Sequence, residues 1–365
     1  MVKLVAVILS LMAALTGCTN DPISPVNPDN PVKQEEPTAT EGISIVPTMQ
    51  DEINTDAAWC ATFQLVWNDM KNEVVKQDIV FSPQEKIVER LNAETFTEDM
   101  LSSEYYYKKF GLRTPALKAE IEKGIKEKFN ETSKILDSFD WPNDAEDPLN
   151  PKYFFYAMLK REFTFPKVFT ILKNGKFGNN QNAVKYFGIN DDTEREVYNQ
   201  VNVLYYNSQN DFAIVLETEN NDQVIFCKNP EGKTFEEIYQ NIIEKSNHYS
   251  GKYYFTSNDD LKIPYISFNE RKDYSELSGK PFLLADGREG IISSAIQTIE
   301  FDLNEKGGKI KSEAGISMNV TSMAPTVEIE YRHFYVDDTF AMFLKEADKD
   351  VPYFAAKISD ITKFN

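Results

Sequence analysis

Two spacings of apolar residues divide the chain. In the first half they fall on helical faces: Trp59, Phe63, Val66 and Met70 stand at i, i+4, i+7 and i+11. That spacing predicts a helix capped by Asn54 or Thr55, running to about Lys76 with an aromatic stripe on the core. Ile79-Val80-Phe81 before Ser82-Pro83 predicts a short buried strand. Thr114 and Pro115 supply a cap and a first-turn proline, and Leu117, Ile121, Ile125 and Phe129 then share one face of a second helix. Beyond the acidic loop at residues 140–147 the period becomes two. Strands are expected over 153–159 and through Val197, Val201, Val203 and Tyr205, with a turn at 208–211 leading into the apolar run 212–216 as a hairpin. Thr234 and Glu237 form a capping box for a helix that buries Phe235, Ile238 and Ile242. Further strands are expected at 261–268, 296–303, 327–336 and 340–344. Helices crowd the first half and strands the second, so the fold class is α+β, helices packed on mixed or antiparallel sheets.

The first fifty residues follow neither period. Lys3 precedes an apolar run from Leu4 to Leu15 that is too short to span a bilayer, and Leu15-Thr16-Gly17-Cys18 closes it with small residues before a cysteine. This ending resembles the lipobox of bacterial lipoproteins. The resemblance implies cleavage before Cys18, acylation of Cys18 and stable membrane attachment. Pro, Asn, Asp, Thr and Glu dominate from Thr19 to about Gln50, the composition of an extended tether. The expected organisation is a signal peptide at 1–17, a lipidated tether at 18–50 and one domain at 51–365. Thr19 offers no acidic retention signal after Cys18, so the expected site is the outer membrane of a bacterial envelope, with its periplasmic and surface faces both open.

Composition works mainly by exclusion. Against 39 basic side chains stand 58 acidic ones, a net charge of −19, which removes nucleic acid from the expected partners. A hydrophobic fraction of 41% is ample for a core. With two histidines and three cysteines the chain cannot build a zinc site from four cysteines or from three histidines. No nucleophile elbow, phosphate loop or paired-cysteine motif occurs. His248 and His333 read as structural, and the pairs Asp191-Asp192, Asp259-Asp260 and Asp337-Asp338 lack calcium-loop spacing. No metal, cofactor or catalytic residue is therefore expected, and the chain is not expected to be an enzyme. Cys60 and Cys227 read as small buried hydrophobes, with a disulfide between them as the alternative in an oxidising compartment.

The last third carries a family pattern. Residues 299–307, Ile-Glu-Phe-Asp-Leu-Asn-Glu-Lys-Gly, look like the strand and hinge of serpins, which end in N-E-x-G. Residues 336–344 are similar to the serpin strand after the reactive loop, and residues 351–358 resemble its closing strand. Upstream, residues 79–83, 153–165, 201–217 and 263–266 resemble further serpin segments in the family's order. Residues 84–150 do not: the family's second helix, whose small residues control opening of the main sheet, is not recognisable there.

A serpin resemblance implies that a protease cleaves an exposed loop, which then enters a sheet as a new strand. The hinge would be Glu305, Lys306, Gly307 and Gly308. Insertion needs period two, and after Gly308 the alternate residues Ile310, Ser312, Ala314, Ile316, Met318 and Val320 are all uncharged. Counting seventeen residues from Glu305, as the family pattern implies, puts the reactive bond at Thr321-Ser322, with Met318-Asn319 and Met323-Ala324 as alternative registers. No Arg or Lys lies between Lys311 and Arg332, so the expected target is elastase-, subtilisin- or papain-like rather than trypsin-like. The function expected is a monomeric, lipid-anchored inhibitor of serine or cysteine proteases. A non-inhibitory serpin-fold surface binding protein is the alternative, favoured by Ile310 at a place where inhibitory members carry small residues, and a hydrolase on an unfamiliar fold is a distant third.

Overall fold

Residues 42–54, 56–143, 151–309 and 331–365 are described in the computed structural model of the protein. Cys18, the signal peptide and most of the tether lie outside them. So do Ile310, Ser312, Ala314, Ile316, Met318, Val320, Thr321 and Ser322. In chain order the elements are β1 (Ser44–Ile45), β2 (Ala57–Cys60), α1 (Thr62–Asp69), which continues as a wider π turn over Met70–Val75, α2 (Lys86–Asn92), β3 (Tyr106–Leu112) and α3 (Pro115–Phe129). Then come β4 (Tyr153–Leu159), β5 (Phe163–Thr164), β6 (Thr170–Ile171), β7 (Gly175–Phe177), β8 (Asn180–Val184), β9 (Tyr186–Ile189) and α4 (Arg195–Tyr198). A hairpin of β10 (Val201–Ser208) and β11 (Asp211–Glu217) leads to β12 (Asp222–Lys228) and α5 (Phe235–His248). The chain ends through β13 (Asp259–Pro264), β14 (Ile266–Asp273), β15 (Pro281–Leu283), β16 (Glu289–Ile291), β17 (Ile296–Asn304), β18 (Gly307–Gly308), β19 (Arg332–Tyr335), β20 (Phe340–Glu346) and β21 (Phe354–Ile358).

The fold is α+β. A mixed seven-stranded sheet has the order β1-β2-β21-β20-β12-β11-β10, antiparallel except for the β1 and β2 pair. Its central strands are continuous apolar runs because both faces are covered. On one face Phe235 and Tyr239 of α5 pack on Phe343. On the other, Phe354 stacks against Phe301 and Phe268 of a four-stranded sheet ordered β14-β17-β18-β5. A second four-stranded sheet, β19-β13-β9-β6, carries the far end of the loop. Strands β3 and β4 pair only with each other among the described residues.

The helix at Pro115 forms as its pattern predicts, with the Thr114 side chain accepting from the Leu117 amide. Thr234 caps α5 through the Glu237 amide, while the Glu237 carboxylate turns to the Lys233 amide rather than to that of Thr234. Several expectations differ from the structure, among them the one strand expected at 261–268, which is β13 and β14 in two different sheets. Residues 57–60 form a strand, so α1 starts at Thr62 and Cys60 is not helical, because these small residues and Trp59 are sealed against β21. Ile79 and Phe81 are buried without a strand; Asn92 and Gln84 side chains satisfy their backbone instead. Val197 lies in the single turn α4. The domain also begins before residue 51: Ile45, Val46 and Met49 are buried, since β1 pairs with β2.

Candidate functional site

The loop expected to be cleaved leaves the described structure at Lys309 and returns at Tyr331. Its outgoing base is the segment Glu305 to Gly308, the expected hinge. Asn304 turns the chain by accepting from the Lys306 amide at 2.9 Å, and the Lys306 and Glu305 carbonyls accept from the amides of Phe165 and Phe169 at 2.9 Å each. Gly307 and Gly308 then pair with Asn304 and Leu303 of β17 on one side and with Thr164 and Phe163 of β5 on the other. The spacing of the hinge motif has a steric cause here. Gly307 has φ +145°, and a Cβ on it would sit 2.1 Å from the Phe163 carbonyl oxygen; one on Gly308 would meet the Phe163 ring at 2.5 Å. The Glu305 carboxylate accepts from the Tyr265 hydroxyl at 2.6 Å. Burial and that neighbouring carboxylate push the Tyr265 phenol up, which keeps it a donor. Among the expected hinge residues, Lys306 alone is exposed.

Below this two-residue strand the sheet is split. The inner edges of β4 and β17 have no strand partner among the described residues, apart from the Lys309 amide on the Asp302 carbonyl at 3.3 Å. Between them lies a cavity of about 1260 Å³, walled by residues 153–160 and 296–302. Phe63, Val66, Trp67 and Met70 of α1 lie along it together with Cys60, and Ser133, Ile135 and Phe139 line it beyond α3. Along β17, Gln297, Ile299, Phe301 and Leu303 are buried whereas Thr298 and Glu300 are exposed, so one face of any strand in the slot would meet the core. The slot is therefore bounded by the core on its inner side and headed by the glycine pair.

The returning base is fixed differently. Arg332, buried at the start of β19, makes a two-nitrogen ion pair with Asp259 at 2.9 and 2.8 Å and donates to the Lys252 and Tyr254 carbonyls at 2.8 and 2.9 Å. The sequence marks Asp259 only as half of an acidic pair without calcium-loop spacing and does not single out Arg332; a buried arginine leaves no periodic signal. Two further carboxylates of these acidic pairs are engaged, whereas Asp191 and Asp192 are exposed: Asp337 bridges Lys228 and Lys262 at 2.8 and 2.9 Å, and Asp260 accepts from Tyr335 beside His333. His248 caps the Glu244 carbonyl of its own helix. Among the described residues no cluster of three metal-ligating side chains occurs.

Cys60 and Cys227 are free and buried. Their strands, β2 and β12, are separated by β21 and β20. Three strand spacings amount to roughly 14 Å, twice the reach of a disulfide. Burial pushes the Cys60 thiol up, and burial pushes Cys227 up to about 11.

No family model matches the sequence, and no curated protein does. In three dimensions the chain is similar to SRPN18 from Anopheles gambiae, at TM-score 0.48 and 10% identity over 86% of this chain and 93% of that one. It is similar to human glycosylated kallistatin at TM-score 0.46 and 12% identity, covering 84% and 92%. A third similarity is to thyroxine-binding globulin in complex with thyroxine, at TM-score 0.40 and 15% identity; the match covers 67% of this chain and 64% of that protein's length.

Proposed function

We propose that the protein is a lipid-anchored, serpin-like inhibitor of serine or cysteine proteases in a bacterial cell envelope, acting by cleavage and insertion of its loop. The observation that carries this reading is the slot with the hinge already seated at its head. Continuing the register in which Gly308 opposes Leu303, Ile310 would oppose Phe301, Ser312 would oppose Ile299 and Ala314 would oppose Gln297. Those partners lie on the buried face of β17, so the uncharged side chains would enter the core while Lys309, Lys311 and Glu313 faced solvent. On this reading a protease acylated at Thr321 would be dragged along the sheet as the strand zipped in.

Incubation with elastase-, subtilisin- and papain-like proteases tests the reading. A gel-stable covalent complex and a new N-terminus at Ser322 are expected, and trypsin-like enzymes should form neither. Ile310 favours the second reading, a non-inhibitory binding protein, because a β-branched side chain must pass Phe301 in the first insertion step. Clean cleavage without a complex would select it. Attachment is tested separately: Cys18→Ala should abolish incorporation of a fatty-acid label and release the chain from membranes.

A further inference from the structure

In the antiparallel pairing of β12 and β20, Asp222 stands directly opposite Glu346. Like charges so placed repel, and these two are 0% and 2% exposed. One cation serves both. Arg161 donates Nε to Asp222 and Nη1 to Glu346, and its guanidinium lies 3.6 Å over the Tyr105 ring. The Tyr353 hydroxyl donates to the second Asp222 oxygen at 3.0 Å, and Ser102 donates its amide and hydroxyl to Glu346 at 3.1 and 2.7 Å. The other charges nearby are Glu104, which bonds Tyr105, and the Lys345 ammonium, which sits on the Glu346 carbonyl. Two carboxylates and one guanidinium thus share a buried site with one negative charge in excess, a burden that taking up a proton relieves. Burial, aided by Glu346, holds Asp222 up at about 7 against the pull of Arg161 and Tyr353.

The place of Arg161 in the fold gives the cluster a task. It lies in the crossover between β4 and β5, with the Lys160 amide on the Tyr105 carbonyl at 2.9 Å, and Phe163, two residues on, pairs with Gly308 of the hinge. We propose that Arg161, Asp222 and Glu346 form a proton-sensitive clasp on the slot: uptake of one proton between mildly alkaline and mildly acidic pH weakens one of Arg161's two anchors and loosens the lip at residues 160–165. Raising the pH through neutrality removes that proton and restores both charge-assisted bonds. The relevance to loop insertion rests on the function proposed above, but the proton and the lip are observable without any cleavage.

The test uses the full-length chain. Carbon-13 titration of the Asp222 carboxyl should give a midpoint between about pH 6 and 8. Hydrogen exchange at the Lys160 and Phe165 amides, corrected for intrinsic rates, should quicken about tenfold from pH 8 to pH 6. Asp222→Asn should show the fast, acid-side rate at both pH values. Glu346→Gln, which removes the like charge, should lower the Asp222 midpoint by at least about one unit, and it keeps the test decisive if Asp222→Asn does not fold. An Asp222 midpoint below pH 5, lip exchange that does not vary with pH, or exchange still pH-dependent in Asp222→Asn would overturn the clasp. Absence of insertion after loop cleavage would defeat the proposed function while leaving the clasp standing.

Discussion

The seven-stranded sheet and the split sheet in front of it are built from similar strands but are completed to different degrees. In the first, β20 is buried nearly end to end and hydrogen-bonded on both edges, by β12 and β21. In the second, β17 alternates buried and exposed residues and, among the described residues, has a full-length partner on one edge only, β14. Its other edge meets a two-residue strand and then the slot. An open edge beside an apolar cavity leaves both backbone bonds and side-chain burial to be gained. Among the described residues the molecule thus combines a sheet paired throughout with one whose second edge lies open, the edge at which the proposed insertion would take place.

Mutations should separate the two regions sharply. Phe343→Ala, deep in β20, should cost about 3–5 kcal/mol in denaturant unfolding. Thr298→Ala, on the exposed face of β17 beside the slot, should stay within about 0.5 kcal/mol. Equal costs would erase the contrast. Next in size is Gly307→Ala, whose new Cβ meets the Phe163 carbonyl; we expect a loss of about 1–3 kcal/mol, with faster exchange at the Phe165 amide as β18 detaches. Smallest is Tyr265→Phe, which removes the hydroxyl donor to Glu305 at a cost of about 1 kcal/mol. Its effect should be confined to the hinge, so a global change in exchange would contradict the placement of Glu305 in that bond.

The same contrast explains what the sequence could disclose. Covered strands such as β11 and β20 announce themselves as unbroken apolar runs, and β17 announces its single buried face by alternation. The glycine pair at 307 and 308 was legible because glycine is required where Phe163 approaches, a local fact that leaves a local signature. The slot was not, because it depends on which strands remain unpaired, and β4 reads as an ordinary strand whether or not β17 lies beside it. Likewise Asp222 and Glu346 lie 61 and 185 residues from Arg161 along the chain, so no spacing links them. Strand β2 was read as helix since Trp59 happens to fall in register with Phe63 and Val66, and tertiary burial against β21 overrode that period.

The most direct test of the central claim, that the slot accepts the loop, is the melting temperature before and after a single cut between Val320 and Pro325. Burying Ile310, Ile316 and Met318 at about 2 kcal/mol each, with about 2 °C gained per kcal/mol in a chain of this size, raises the transition by at least about 10 °C. Ala314→Glu, placing a charge on the inserting face, should cancel the rise while leaving the uncut protein unchanged. A cut chain that melts at or below the temperature of the intact one would contradict the account.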